Sequence, residues 1–261
     1  MPRILTYNVR HCLGIDDQLS PERIVEVIAA CEPDVVAIQE LDVNRARTYG
    51  VDQARAIADE LCMHLHFYPA IREKEESYGD AILTAHPCTL VKAGLLPTRR
   101  WPAFVEPRGA LWVSVNIGGT EIQVINTHLG LPGSNRLGQI EMLLGPDWLA
   151  HPACREPVII AGDFNTVPRS RVYQRLAALL RDAQTWLGPF RQQLTYPSRA
   201  PFLRLDHVFV SQSIEVLKTQ AIRTPLARIA SDHLPLLVDF RVITREQCAK
   251  ESSDTSLVGD R

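Results

Sequence analysis

The sequence VIIAGDFN, residues 158 to 165, places an acid and an amide directly after an apolar run. Residues 158–161 have the composition of a buried β-strand, whereas Asp163 and Asn165 carry polar groups that burial penalises. A solvated loop would account for one such case, but the pattern recurs, and ligands meet a sheet at the ends of its strands. We therefore expect one shared site that also includes Asn8, Glu40, His128, Asp206, Asp232 and His233.

Acidic side chains gathered in one partly dry cleft repel each other and raise one another's pKa unless a cation neutralises them. The set therefore predicts a bound metal ion. Its donors are carboxylate and carboxamide oxygens with few imidazoles and no cysteine, which favours magnesium, or else manganese, over zinc. Magnesium binds through one or two carboxylates plus phosphate oxygens of a substrate, which fits a site built around Glu40 and Asn8.

The two histidines of this set suit hydrolysis of a phosphoester, in which charge builds on the phosphate oxygens while a water loses a proton. A protonated His128 would donate to a phosphoryl oxygen. His233 would act as a base on the water if a carboxylate fixed its tautomer and supported its positive charge.

The elements that must position these residues are short runs rich in valine and isoleucine, with the length and composition of β-strands. These runs occupy residues 3–9, 34–40, 80–85, 110–117, 121–129, 158–165, 205–211 and 236–240. The sequence NIGGTE predicts a hairpin, because two glycines supply the positive φ that a tight turn needs. Helical periodicity lies between the runs, at residues 20–32, 52–62, 134–150 and 169–181.

In the first helical segment, Ser20 is the predicted N-cap and Pro21 the first helical residue. Intermixed strands, helices and hairpins predict an α/β (α+β) protein with mixed sheets.

The chain has 261 residues, of which 46% are hydrophobic and 22% charged, a composition typical of soluble globular proteins. No apolar run approaches the roughly 18 residues of a transmembrane helix, and the N-terminus resembles a strand more than a secretory signal, so a cytoplasmic location is expected. The six cysteines are scattered without a CxxC pair, which favours free thiols. We expect one domain over residues 1–245, a disordered tail over residues 246–261, and a monomer without an obligate protein partner.

The ordered motifs TYNV, QE, NTHL, GDFN, LDHVFVS and SDHLP resemble those of the endonuclease/exonuclease/phosphatase superfamily, the DNase I-like metal-dependent phosphoesterases. Each motif alone is weak, but the six occur in the family's order across residues 3 to 243. The resemblance implies a four-layer α/β sandwich, in which two mixed β-sheets pack face to face with helices outside. It also implies an active site at one edge of the sandwich.

The resemblance further implies roles for the matching residues. Glu40 would be the principal magnesium ligand, with Asn8 beside it, and Asp232 would be a further ligand or an orienting group. His128 would stabilise the pentacovalent phosphate, and Asn165 would hold one of its oxygens.

The resemblance leaves the proton transfers open. Asp163 would orient or deprotonate the attacking water, while His233, paired with Asp206, would act as general base or acid. Members of the family are described with different assignments of the base.

Asp80 departs from the family pattern, since many relatives have Gly-Asn where this chain has SYGDAILTAHP. In pancreatic-type deoxyribonucleases a carboxylate near this place holds the first active-site histidine, so Asp80 either holds His128 or only caps a strand. Tyr78 and Arg108 are candidate substrate-binding residues, Arg108 because its fork of donors suits phosphate. Weaker candidates for the cleft are Arg136 and His11.

Three functions fit these residues. The first is hydrolysis of a small or lipid-linked phosphodiester, the second is cleavage of DNA or RNA, and the third is an inactive scaffold of the same fold. The scaffold is disfavoured because no position of the catalytic set is substituted.

The choice between a small or lipid-linked substrate and nucleic acid depends on charge. A net charge of −2 and a pI of about 6.4 give no general attraction to a polyanion. Asp42 would also repel a duplex backbone. A basic and aromatic rim within residues 95–109 instead suits nucleic acid or an anionic membrane surface, through Arg99, Arg100, Trp101 and Arg108.

Overall fold

The computed structural model describes residues 1–98, 105–185 and 192–243, and their strands form two sheets. The first sheet contains β1 (Arg3–Asn8), β2 (Val35–Val43), β3 (His64–Glu73), β4 (Glu76–Thr84), β11 (Ile214–Ala221) and β12 (Leu236–Val242). The second contains β5 (Cys88–Leu96), β6 (Arg108–Ile117), β7 (Thr120–His128), β8 (Val158–Asp163), β9 (Arg181–Asp182) and β10 (Asp206–Val210). The predicted tail and the predicted rim residues Arg99, Arg100 and Trp101 lie outside the described residues.

The strand order is β11-β12-β1-β2-β4-β3 in the first sheet and β5-β6-β7-β8-β10-β9 in the second. β1 pairs parallel to β2, and β7 pairs parallel to β8, while the other pairs are antiparallel. The predicted glycine hairpin joins β6 to β7, with φ of +60° at Gly118 and +85° at Gly119. Both sheets are therefore mixed, as the sequence predicts.

The α-helices of the described residues are α1 (Pro21–Ala29), α2 (Gln53–Glu60), α3 (Gly133–Leu144), α4 (Arg171–Ala177) and α5 (Ala227–Ala230). The side chain of Ser20 accepts from the backbone N–H of Arg23, and Pro21 opens the helix, which confirms the predicted cap. α3 ends before Gly145 and is shorter than the predicted segment. None of the described helices is both long and apolar enough to cross a membrane.

Strand alternation divides the apolar residues between an inner and two outer cores. Val35 and Ala37 of β2 pack between the sheets against residues of β6, β7 and β8, whereas Val36 and Ile38 pack on the other side with α1. On the second sheet, Ile125 of β7 packs outward against α3 and α4. Helices thus cover both outer faces, and the implied four-layer sandwich is confirmed.

The registers bring the predicted site residues to one edge of this sandwich. In the first sheet Asn8 pairs with Gln39, next to Glu40. In the second sheet Asp163 lies between His128 of β7 and Asp206 of β10. Residues that are far apart in the sequence therefore lie close together at the same rim.

Candidate active site

The centre of the site is a pair of carboxylates, one from each sheet, bridged by a carboxamide. Nδ2 of Asn8 donates to Oε1 of Glu40 at 2.9 Å and to Oδ2 of Asp163 at 3.0 Å. Oδ1 of Asn8 accepts from the backbone N–H of Arg10 at 3.0 Å, which fixes the orientation of the amide. Asn8 thus organises the two carboxylates, and it would offer its oxygen to an ion only after the amide turned.

A bulge in β2 aims Glu40 at this centre. The register with β4 shifts between Ile38 and Leu41, and Glu40 has a φ of +64°. This left-handed conformation is uncommon for a residue with a side chain, and such residues cluster at functional sites. The backbone N–H of Glu40 donates to Oδ1 of Asp80 in a long hydrogen bond of 3.4 Å, so Asp80 supports the bulge from behind.

His128 lies beside both carboxylates. Its Nδ1 is 3.9 Å from Oε1 of Glu40, and its Nε2 is 3.5 Å from Oδ2 of Asp163. The side-chain amide of Asn165 contacts Nε2 of His128 at 3.0 Å and donates to the carbonyl of Leu129 at 2.9 Å. An amide that donates to Nε2 leaves the ring proton on Nδ1.

The expectation of a protonated His128 is wrong for this arrangement. Burial lowers the pKa of His128 well below its usual value, and the positive charges of Arg108 and His233 add to that effect. The ring is therefore neutral. Asp80 does not hold it either, because its contact is with the backbone of Glu40, and Nδ1 of His128 has no hydrogen-bond partner among the described residues.

His233 has the predicted carboxylate partner. Its Nδ1 contacts Oδ2 of Asp206 at 2.9 Å, and its Nε2 lies 3.7 Å from Oδ2 of Asp163. The ring packs against Tyr196, with 4.8 Å between ring centroids. Burial opposes a charge on His233, but the two carboxylates outweigh burial and raise its pKa to about 10.

The acids at the centre lie in surroundings that disfavour their charged form. Burial raises the pKa of Glu40, Asp80 and Asp163, in Asp80 to about 7. His233 opposes the shift in Asp163 without cancelling it. Buried carboxylates with raised pKa values provide the electrostatic setting in which a divalent cation binds.

The donor set fits a hard ion. Possible ligand atoms of Asp163, Asp206 and His233 lie within 4.8 Å of one another. Two of these atoms are close because His233 and Asp206 are hydrogen-bonded to each other. An ion bound between the three residues would break that hydrogen bond. Glu40 and Asp163 are better placed, because both line the cleft and both offer carboxylate oxygens.

A cleft of about 460 Å³ opens over these groups. Its lining includes eight predicted site residues: Glu40, Tyr78, Arg108, His128, Asp163, Asn165, Asp232 and His233. The other three, Asn8, Asp80 and Asp206, lie buried behind the wall. A larger cavity of about 800 Å³, bordered by Arg3 and Lys218, contains none of the predicted residues.

The predicted substrate-binding residues differ in their surroundings. Arg108 is almost fully buried and pairs with Glu106 at 3.1 Å. The ring of Tyr78 is also buried, and the guanidinium of Arg47 lies 5.4 Å from its centroid. Asp232 lies at the cleft wall, where its Oδ1 is 3.4 Å from the hydroxyl of Ser231.

The lining of the cleft also includes Arg10, His11, Arg47 and Tyr196. The sequence marks His11 only as a weak candidate and does not single out the other three, although Arg10 directly follows the TYNV motif. Arg10, His11 and Cys12 have consecutive positive φ values of 47°, 43° and 59°. This left-handed turn is held at the carbonyl of His11, which accepts from Nε2 of Gln53 at 2.7 Å.

Two expectations about charged residues are wrong. Asp42 is fully buried, and Arg47 donates to both of its oxygens at 2.7 and 2.8 Å, so Asp42 does not face a substrate. Arg136 donates to the backbone carbonyls of Gly130 and Leu131 and does not line the cleft. Asp42 therefore does not disfavour nucleic acid as a substrate.

The sequence matches the model of the endonuclease/exonuclease/phosphatase family over residues 5–233. The uncharacterized protein YbhP of Escherichia coli (strain K12) is 30% identical over 139 residues, which cover 52% of this chain and 54% of YbhP. The match thus spans about half of each protein.

Two further comparisons cover most of the chain. Tyrosyl-DNA phosphodiesterase 2 of Xenopus tropicalis is 27% identical over 269 residues, which cover 92% of this chain and 66% of that protein. The crystal structure of the endonuclease/exonuclease/phosphatase from Bacteroides vulgatus has a TM-score of 0.73 at 18% identity, covering 92% of this chain and 98% of that chain. The latter likeness concerns the fold.

Proposed function

Because the chain belongs to the endonuclease/exonuclease/phosphatase family, we propose that it is a magnesium-dependent phosphodiesterase in which an activated water attacks phosphorus. The observation that carries the proposal is the convergence of Glu40 and Asp163 from two sheets, joined by Asn8, on the wall of a cleft. Burial of neighbouring carboxylates costs free energy, and a bound cation would offset that cost and serve catalysis.

Glu40 would hold the ion, with manganese as the alternative to magnesium, and Asp163 would stay free to take a proton from the water. The bound ion supplies polarisation of a phosphoryl oxygen and compensation for the buried acids. Asn8 keeps the two carboxylates apart and correctly oriented.

Two donors at the cleft would hold the phosphate. Asn165 leaves the ring proton of His128 on Nδ1, whose free N–H provides a donor without adding charge, and the nearly buried Arg108 provides a cationic donor. Donors that are fixed before the substrate arrives need no reorganisation when charge builds in the transition state.

The proton balance favours Asp163 as the base and His233 as the acid. Burial raises the pKa of Asp163, which makes it a better proton acceptor, while the paired carboxylates keep His233 protonated. As the bond from the water oxygen to phosphorus forms, Asp163 takes the water proton. As the bond to the leaving oxygen breaks, His233 donates a proton to that oxygen.

The cleft favours a small or lipid-linked phosphodiester. Its volume of about 460 Å³ lies within the range of small-molecule sites. Leu131, which is 70% exposed, and Leu205 give one wall apolar surface for the non-phosphate part of a substrate.

The second candidate function is cleavage of a nucleic acid phosphodiester. It is favoured by Arg10 in the cleft lining and by the pairing of Asp42 with Arg47, which removes the repulsion expected from Asp42. The relative whose name specifies tyrosyl-DNA supports it as well.

The test is a substrate panel with added magnesium: bis(p-nitrophenyl) phosphate, sphingomyelin, a phosphoinositide, plasmid DNA and an abasic oligonucleotide. We expect turnover of a small or lipid diester that chelation abolishes and that His233→Ala lowers by about 10³-fold or more. Plasmid nicking without turnover of the model or lipid diesters would support the nuclease instead. Turnover that survives both chelation and His233→Ala would refute the proposed chemistry.

A further inference from the structure

The β2 bulge that presents Glu40 is in contact with the facing sheet. Ile38 pairs with Ala81, and Leu41 pairs with Gly79, so residues 39 and 40 of β2 oppose Asp80 alone. Two residues opposite one define a β-bulge, which redirects the side chains that follow. Something must stabilise this arrangement, because Glu40 adopts the left-handed conformation within it.

The contact comes from Asn126 of β7, in the second sheet. Its Nδ2 donates to the carbonyl of Ile38 at 2.9 Å and to the carbonyl of Ala81 at 2.8 Å. These carbonyls belong to the last residue pair in register before the bulge. One carboxamide therefore clamps both strands at the point where their pairing breaks.

The remaining oxygen of Asn126 is also used. Oδ1 accepts from Nε2 of Gln39 at 2.7 Å, and the Gln39 amide also contacts Oγ1 of Thr6 at 3.2 Å. All three side chains have no solvent exposure. A polar bridge in a dry core is stabilising only while its partners stay in place, so it favours one geometry of the bulge.

The bridge joins the two halves of the site. Gln39 precedes Glu40, and Asn126 lies two residues before His128, so Asn126 and His128 share one face of β7. We propose that Asn126 is a positioning residue, which holds the β2 bulge so that Glu40 faces the metal and stays beside His128. This inference rests on the proposed function insofar as Glu40 is taken as a metal ligand.

The test measures magnesium binding by the full chain with isothermal titration calorimetry in the absence of substrate. Asn126→Ala removes the clamp, and we expect magnesium to bind about tenfold or more weakly, as for other supports of a metal ligand. Asn126→Asp keeps the size but loses two donors, and it should bind no more tightly than Asn126→Ala.

Gln123→Ala is the matched control. Gln123 is also buried on β7, where it accepts from Nε1 of Trp112 at 2.8 Å, but it lies toward the opposite end of the strand. At a comparable loss of Tm, this variant should bind magnesium within twofold of the unmodified protein. Equal affinities of the Asn126→Ala and Gln123→Ala variants would overturn the positioning role.

If Asn126→Ala does not fold, Gln39→Met decides the question. It breaks the bridge to Asn126 while both carbonyl contacts remain, so we expect a smaller but measurable loss of magnesium affinity. Unchanged affinity would overturn the inference. Failure of the unmodified chain to bind magnesium or to hydrolyse any diester would instead refute the proposed function, which this inference requires.

Discussion

Two clusters of buried ionisable side chains lie on opposite faces of the second sheet, and they differ in how their charges are balanced. Two adjacent residues of β10 belong to different clusters. Asp206 pairs with His233 in the candidate site, and His207 contacts the carbonyl of Thr166 in the second cluster, on the other face of the sheet. Next to His207 lies a second buried acid, Asp182.

The Asp182 cluster is closed, which here means that its carboxylate is paired with donors of the protein itself. The Asp182 carboxylate accepts from the hydroxyl of Tyr173 at 2.6 Å, from the backbone N–H of Gln184 at 2.9 Å and from the buried guanidinium of Arg204. One arginine matches one carboxylate there. In the candidate site, by contrast, Glu40, Asp80 and Asp163 have raised pKa values.

Buried charge alone therefore does not identify a functional site. A closed ion pair is consistent with a structural role, whereas uncompensated charge at a cleft requires something from outside the chain. Substitutions that remove one charge should therefore have opposite consequences in the two clusters.

The largest effect is expected from Glu40→Gln. Removal of the proposed principal metal ligand should lower hydrolysis by about 10³-fold or more, because a metal ion and its ligands act as one unit. Since one of several repelling acids is lost, the metal-free protein should keep or gain stability. Steady-state kinetics measure the loss of hydrolysis, and a thermal melt with chelator measures the stability of the metal-free protein. A large fall in Tm would remove the contrast between the clusters.

The second effect is expected from Arg204→Met, in the closed cluster. It leaves the buried Asp182 carboxylate without its cation, which should cost about 3–5 kcal/mol of unfolding free energy. Hydrolysis by the folded fraction should stay near that of the unmodified protein. Denaturant titration measures the unfolding free energy. Arg175→Met is the control, because it breaks an exposed pair with Glu141 and should change stability much less than Arg204→Met. Equal costs for the two arginines would mean that the Asp182 cluster is not closed by Arg204.

The sequence predicted the strands that carry the site and the pairing of His233 with Asp206, because both follow from local patterns and from the motifs that resemble the family. It could not predict that Arg47 neutralises Asp42, since the contact depends on how the chain turns after β2. The β2 bulge has no signal in the sequence either. Within QELDV, Glu40 has the surroundings of an ordinary strand residue, and its conformation depends on Asn126 of another sheet.

The Asp182 cluster was missed for a related reason. Arg204 and Asp182 are far apart in the sequence, and neither is part of a motif. Their burial follows from the packing of α4 on the outer face of the second sheet, where Tyr173 meets Asp182 of the edge strand β9. Local patterns identify strands and site motifs well, but they do not identify which distant charges meet.

The smallest effect concerns the pH dependence of stability in the closed cluster. Burial, with the charge of Arg204 adding to it, lowers the pKa of His207 to about 4. The unfolded chain, in which an ordinary histidine titrates near 6.5, therefore binds more protons than the folded chain between about pH 4 and 6.5. His207 then contributes stability in full above about pH 6.5, and this contribution is lost as the pH falls toward 4.

The expected loss from His207 alone is on the order of 3 kcal/mol. In denaturant titrations at a series of pH values, His207→Gln, which keeps a donor for the Thr166 carbonyl but cannot be charged, should gain stability by that amount relative to the unmodified protein as the pH falls from about 6.5 to 4. His64→Gln, at an exposed histidine of β3, should leave the pH dependence of stability unchanged. The acids of the open site act in the opposite sense, because their raised pKa values make the metal-free protein lose stability as the pH rises. Removal of His207 should therefore expose that opposite trend, and an identical pH profile in both proteins would show that His207 is not held neutral by its surroundings.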